Sequence, residues 1–227
     1  VINPLSATQS TYDPQRDFTP ISLLAKVPNV LLVGNTVKAQ NVKELIALLK
    51  AQPGKFAYGS SGIGTPPHLS GELFKSMAGV DIAHVPYKGG GPAMSDLIGG
   101  QIPVLFDVLS GAAPHIRNGT VRALAMTLDQ RVETFPDLPT MAEAGLPGYE
   151  TYTWNAIFGP AGMPRGLAEL YSKELVAVVA LPEVQAKLKE LSATPVGSTP
   201  EALAALVKSD LTKMGALIKS IGGLKRE

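Results

Sequence analysis

Short unbroken apolar runs alternate along this chain with segments whose apolar residues recur every three or four positions. After a polar, turn-rich opening from Val1 to Asp17, the run Phe18-Thr-Pro-Ile-Ser-Leu-Leu-Ala-Lys-Val predicts a strand. Val30-Leu31-Leu32-Val33 predicts a second, of the continuous kind found in parallel sheets covered on both faces. Between them Val27-Pro28-Asn29 fits a crossing between two lobes. From Asn41 the period becomes helical, with Val42, Leu45, Ile46 and Leu49 on one face and Pro53-Gly54 as the stop. Phe56-Ala57-Tyr58 then reads as a strand and Gly59-Ser-Ser-Gly-Ile-Gly as a turn. Thr65 and Pro66 supply the N-cap and first position of a helix with Leu69, Leu73 and Met77 on its apolar side.

The same arrangement returns. A strand from Ala83 to Pro86 leads through Tyr87-Lys-Gly-Gly-Gly into a helix opened by Pro92, with Met94, Leu97 and Ile98 apolar and Gly99-Gly100 as exit. A strand from Ile102 to Phe106 is followed by Asp107, a helix from about Gly111 to Arg117 and a fourth strand, Val121 to Met126. Alternation at this spacing predicts right-handed βαβ units and a parallel sheet. Arg131 to Gly148, with Pro136, Pro139 and Pro147, reads as a surface connection carrying one short helix at Met141 to Ala144. A strand from Thr151 to Phe158 returns the chain to its first lobe. Two helical regions close the sequence: Leu167 to Val179 with a restart at Pro182, and a helix capped by Thr199 with Pro200 after it. Leu203, Val207, Leu211, Met214, Ile218 and Ile221 give the last helix one buried face.

Composition narrows the function classes. The 227 residues suffice for one large domain or two modest α/β lobes. With 45% hydrophobic and 17% charged residues the chain is globular rather than disordered. Lys plus Arg is 20 against 19 for Asp plus Glu, and the basic residues are scattered, apart from the tail Lys225-Arg226-Glu227. A nucleic-acid partner or a polybasic membrane contact therefore gains no support. The lack of cysteine removes disulfides, thiolate metal sites and cysteine nucleophiles, and suits an oxidising compartment. The apolar stretches are broken by Pro or Gly before they reach a membrane-spanning length. No signal peptide is visible, and a start at Val1 reads as processed or truncated.

Candidate chemistry concentrates in Tyr58-Gly59-Ser60-Ser61-Gly62-Ile63-Gly64-Thr65-Pro66-Pro67-His68. The glycines let backbone approach a ligand and adopt positive φ, Ser60, Ser61 and Thr65 supply hydroxyls, and the following helix points its unpaired N–H groups back at the turn. That suits a carboxylate or phosphate, although a plain strand-to-helix turn has the same composition. No nucleophile elbow is present, because neither Ser60 nor Ser61 has glycines two residues away on both sides. The Gly-Lys-Ser/Thr end of a phosphate loop and the third glycine of a dinucleotide fingerprint are also missing. Tyr87-Lys88-Gly89-Gly90-Gly91-Pro92 repeats the logic on what is predicted to be the same sheet edge, where open α/β sheets bind ligands. Lys88 either adds charge there or is solvated, and Asp107 either accepts from a ligand amine or caps the following helix. His68, His84 and His115 stand in unrelated contexts that suggest no metal site, and Trp154 is expected to fill core. No catalytic set, metal or cofactor is expected.

Gly59-Ser60-Ser61-Gly-x-Gly64-Thr65 with His68-Leu69, His84-Val85-Pro86-Tyr87-Lys88-Gly89 and Arg122-Ala-Leu-Ala occur in that order. With Tyr12-Asp13-Pro14, Asp17-Phe18 and Leu138-Pro139-Thr140, they resemble the Bug family, the solute receptors of tripartite tricarboxylate transporters. The resemblance covers nearly the whole chain. It implies a periplasmic binding protein of type II-like α/β fold, with two lobes of mostly parallel sheet joined by crossing strands. Such a receptor closes on a small carboxylate (a dicarboxylate, an acidic amino acid or an aromatic acid) and delivers it to membrane permease subunits. The ligand set carried over is Ser60, Ser61, Gly62, Gly64, Thr65, His68, Tyr87, Gly89, Gly90 and Asp107, and a monomer is expected. Residues 31–150 would form the complete second lobe, and 1–30 with 151–227 an incomplete first one. The resemblance places Val1-Ile2-Asn3-Pro4 just after a first βαβ unit, roughly a quarter of a mature receptor of two-lobe size. Two other readings stay open: an effector-binding sensor domain of a regulator, and an enzyme acting on a small carboxylate through His68 or Asp107.

Overall fold

The computed structural model describes Leu5 and residues 12–224; the rest of the polar opening, with Val1 to Pro4, and the tail Lys225-Arg226-Glu227 lie outside the described residues. Seven strands and seven helices are found among the described residues. In chain order they are β1 (Phe18–Val33), α1 (Val42–Ala51), β2 (Ala57–Ser60), α2 (Pro66–Ala78), β3 (Ala83–Pro86), α3 (Gly90–Ile98), β4 (Val104–Val108), α4 (Leu109–Arg117) and β5 (Arg122–Met126). There follow β6 (Tyr152–Pro160), α5 (Arg165–Val179), α6 (Pro182–Glu190), β7 (Thr194–Pro195) and α7 (Pro200–Ser220). The chain divides into two compact units, Val1–Lys26 with Trp154–Glu227, and Val27–Thr153.

Local chemistry sets several helix starts. Asn41 accepts from the Glu44 N–H, Thr65 from the His68 N–H and Thr199 from the Ala202 N–H, each satisfying a donor the helix leaves unpaired. Two starts fall earlier than the prolines and glycines suggested, at Gly90 instead of Pro92 and at Leu109 instead of Gly111. The stretch Met141 to Ala144 makes hydrogen-bonded turns and no helix. Its backbone is held by Met126, which exchanges bonds with Pro139 and Met141, and Gly145 at φ +110° ends the segment after one turn.

In the unit Val27–Thr153 the strand order is β3-β2-β4-β1-β5. β2 runs parallel to β3 and β4, as the βαβ spacing predicts. β1 does not: it is antiparallel to both β4 and β5, so the sheet is mixed. Continuous apolarity of Val30 to Val33 reports burial on both faces, not strand direction, and all four are fully buried. Val30 and Leu32 join one core cluster with Leu97, Leu105 and Leu109, whereas Leu31 and Val33 join another with Leu45, Tyr58 and Phe74. The two predicted runs are one strand. Pro28, which lacks an N–H, falls between Lys26, paired with β7, and Asn29, paired with β4.

The other unit packs Leu23, Leu203 and Val207 with Trp154, Phe158 and Leu211. Leu203, Val207 and Ile218 of α7 are buried, while Met214 and Ile221 are only half-buried. Trp154 fills this core as expected, and its indole N–H donates to Asp210 Oδ2 at 2.8 Å.

Candidate functional site: two glycine turns on one sheet edge

Parallel pairing of β2 with β3 and β4 brings Ser60, Pro86 and Val108 to one edge, and shared antiparallel pairing with β1 adds Met126. Strand ends of an open α/β sheet leave a crevice there, which is the usual ligand edge. Both glycine turns lie on it. Asp107 lies there too, as the fourth residue of β4 opposite Val30 and not after the strand.

The first turn is tied together by its own side chains. Ser60 Oγ accepts from the Gly62 N–H at 3.2 Å, Ser61 Oγ donates to Thr65 Oγ1 at 3.2 Å, and Thr65 Oγ1 donates to the Gly62 carbonyl at 2.7 Å. Gly62 at φ +128° and Gly64 at φ +74° take backbone conformations that a side chain would strain. The expectation of open helix amides behind the turn is not met. Pro66 and Pro67 fill the first two positions of α2 and have no N–H, and Thr65 Oγ1 takes the third amide, that of His68. The Gly62 and Gly64 amides are also engaged, so these two glycines shape the turn. The N–H groups of Ser61 and Ile63 remain without a partner among the described residues, beside the Ser61 and Thr65 hydroxyls.

Beneath the turn is a polar cluster that hydrophobic periodicity could not reveal. The rings of His68 and His84 stack with centroids 3.9 Å apart, so these two histidines do share a context. His68 is 5% exposed and its Nδ1 accepts from the Gly64 N–H at 3.1 Å; it lies under the turn, not on its open side. His84 Nε2 meets Ser60 Oγ at 2.7 Å, and Ser60 is itself buried. Glu72 Oε1 accepts from the Tyr58 hydroxyl at 2.6 Å and from Lys75 at 3.0 Å, and stands 4.0 Å from His68 Nε2. Burial holds both imidazoles below their ordinary pKa, His84 to about 3 with His68 and Lys75 adding to the effect. The Tyr58 ring fits because residue 71 is glycine: a Cβ there would fall 2.0 Å from Tyr58 Cε2.

The second turn is barer. The Gly89 N–H donates to the Ser61 carbonyl at 3.2 Å, which ties the turns together, and Gly89 sits at φ +116°. No side chain caps α3, whose first turn begins at Gly90 and Gly91. The Tyr87 ring covers Gly59 while its hydroxyl donates to Asp96 Oδ2 at 2.8 Å, and burial with that bond pushes the phenol up to about 12. Lys88 is exposed. Asp107 is 5% exposed, accepts from the Val108 N–H at 2.8 Å, and has its carboxyl pKa raised, mainly by burial. Its carboxylate lies against Gly90 and lines a cavity of about 580 Å³ with Gly91, Met94, Ser110 and His115.

A third group of polar residues completes the edge. Asn29, fully buried, donates from Nδ2 to Ser70 Oγ and from its backbone to Thr127 Oγ1, while Thr127 Oγ1 donates to the Thr151 carbonyl at 2.6 Å. Tyr149 donates to the Ser70 carbonyl at 2.6 Å. Every buried side-chain N or O among the described residues has a partner, as buried polar groups require. No group of three or more metal-ligating side chains occurs among the described residues, and no described helix is long and apolar enough to cross a membrane.

Comparison with known proteins bears on the family and the fold. Residues 1–223 match the family model described as tripartite tricarboxylate transporter family receptor. The chain is 38% identical over 208 residues to the UPF0065 protein in the tcbD-tcbE intergenic region of Pseudomonas sp. strain P51, covering 91% of this chain and 62% of that protein. It is 32% identical to BugT of Bordetella pertussis, covering 93% of this chain and 65% of BugT. The chain thus spans less than two thirds of the length of these curated relatives. Among solved structures, Rpa4515 of R. palustris with adipate superposes with a TM-score of 0.91 at 35% identity, over 99% of this chain and 75% of that one. The periplasmic binding protein BugD gives 0.88 at 34% identity, over 99% and 76%. MatC of Rhodopseudomonas palustris with bound malate gives 0.83 at 27% identity, over 95% and 75%. With a family model matched over almost its whole length and the same mixed-sheet fold in Bug-type binding proteins, the chain belongs to the tripartite tricarboxylate transporter receptor family, the Bug solute-binding proteins.

Proposed function

We propose that the protein is a periplasmic receptor that captures a small carboxylate at the first glycine turn and hands it, as a monomer, to the membrane permease subunits of a tripartite transporter. The observation that carries this reading is the first turn itself: the open amides of Ser61 and Ile63 beside the Ser61 and Thr65 hydroxyls, on a turn already fixed by internal bonds. The two free N–H groups, joined by the Ser61 O–H once it turns from Thr65 Oγ1, take an anion without a cationic side chain, and hydrogen bonds to a charged group are the stronger kind. Gly62 and Gly64 set the shape of this cradle. The N–H groups of Gly90 and Gly91 at the start of α3, with Gly89, Tyr87 and Asp107, read the remainder of the ligand. Two similar proteins hold adipate and malate, which supports a dicarboxylate as the ligand class.

Titration of the full-length protein with adipate and malate by calorimetry tests the reading. Each hydrogen bond to a charged group contributes about 1.5–3 kcal/mol, so Ser61→Ala with Thr65→Ala is expected to weaken binding at least tenfold with the fold retained. Unchanged affinity in the double variant places the carboxylate elsewhere.

A further inference from the structure

The ring of His68, one of the ligand residues that the resemblance carries over, is turned under the turn, and its two nitrogens face groups of opposite demand. A backbone amide can only donate, so the 3.1 Å contact from the Gly64 N–H requires an unprotonated Nδ1. The ring proton then belongs on Nε2, which faces the Glu72 carboxylate 4.0 Å away. We propose that His68 is a positioning residue: through Nδ1 it holds the Gly64 amide and so keeps the turn in the shape that presents the Ser61 and Ile63 amides. This rests on the carboxylate reading given above.

His84 adds a second support of the same kind. Its Nε2 meets Ser60 Oγ, which in turn accepts the Gly62 N–H, so the Gly62 and Gly64 amides each end, directly or through one hydroxyl, on an imidazole. The two supports respond differently to a proton. Ser60 can accept from a protonated His84 and turn its hydroxyl towards the Gly62 carbonyl, 3.3 Å away. Gly64 has no such freedom, because a proton on Nδ1 sets N–H against N–H. The groups facing the His68 ring are His84 from β3 and Glu72 and Lys75 from α2 itself, while the Tyr58 hydroxyl from β2 meets Glu72 and the His68 backbone carbonyl. Glu72 is already engaged by Tyr58 and Lys75, and burial works against a charged ring. His68 therefore stays neutral around pH 7 and gives up its hold only on acidification below the ordinary imidazole range.

The test combines nitrogen-15 NMR of the ligand-free full-length protein with adipate and malate titrations of two variants. His68→Asn keeps an acceptor oxygen near the position of Nδ1 at every pH; His68→Leu removes it. The expected results are an Nε2–H tautomer at pH 7 and a Gly64 amide resonance that shifts as His68 titrates. Adipate affinity is expected to stay within about threefold of the unaltered protein in His68→Asn and to fall about tenfold or more in His68→Leu, the latter a loss of about 1.4 kcal/mol. The acid loss of affinity is expected to be smaller in His68→Asn than in the unaltered protein. A Gly64 resonance blind to His68 titration, or His68→Leu binding as tightly as the unaltered protein, overturns the proposal. If neither dicarboxylate binds the unaltered protein, the functional reading falls, and the Gly64 resonance alone decides for or against His68.

Discussion

The two glycine turns start from similar sequences, Gly-Ser-Ser-Gly-Ile-Gly-Thr-Pro and Lys-Gly-Gly-Gly-Pro, and end as different objects. The first is fastened at almost every polar group: Ser60, Ser61, Thr65, His68 and His84 each hold some part of it. The second has no capping side chain, and its main tie is the Gly89 amide on the Ser61 carbonyl. A glycine turn is thus made rigid by what lies under it, and composition alone does not distinguish a built cradle from an open helix start.

The largest blow to the fastened turn is expected from a residue that never touches it. Gly71→Ala would place a Cβ 2.0 Å from the buried Tyr58 ring, and Tyr58 anchors Glu72 beside His68. The better helix propensity of alanine does not offset such overpacking, so a loss of about 1–3 kcal/mol is expected. Thermal melting should register it as a drop of several degrees. An unchanged melting temperature means that the Tyr58 ring has room to move.

A smaller effect is expected from acid. Both imidazoles have folded pKa values below the ordinary 6.5, His84 at about 3, so the unfolded chain takes up protons first as pH falls. The unfolded state then binds more protons than the folded one, and the stability present above pH 6.5 drains away as pH drops towards 3. Urea midpoints at pH 7 and pH 5 should show the decline, and His84→Phe should flatten it. Equal midpoints in the unaltered protein contradict the neutral stack.

The least effect on stability is expected at the second turn. In Gly90→Ala the new Cβ falls 2.8 Å from Asp107 Oδ1, so the carboxylate must shift, while the first turn of α3 gains from losing a glycine. A net change within about 1 kcal/mol is expected, with weaker adipate binding as the larger symptom. Melting and calorimetry on the same sample separate the two. Intact binding removes Asp107 and Gly90 from the ligand's surroundings.

Much of this was legible in the sequence wherever the physics is local. Asn41, Thr65 and Thr199 announce helix starts because a cap is made within three residues, and the βαβ rhythm gave β2, β3 and β4 their parallel order. Two things were hidden. The direction of β1 is set by pairing with strands more than seventy residues away, and burial on both faces writes the same apolar run for either direction. The inward face of α2 is mixed, with His68, Ser70 and Glu72 buried beside Leu69 and Phe74 while Met77 is 36% exposed, so a search for apolar spacing found only part of it. A usable signal was present in the His68 and Glu72 pair, four residues apart and therefore on one helix face.

β1 has a consequence for how this protein tolerates change. Its even-numbered residues Val30 and Leu32 serve one core and its odd-numbered residues Leu31 and Val33 the other. Side-chain volume lost from one parity can be recovered only by neighbours of the same parity, so the strand acts as a partition between two separately drifting interiors. Length is the property it cannot vary, because a single inserted residue would exchange the contents of both compartments at once.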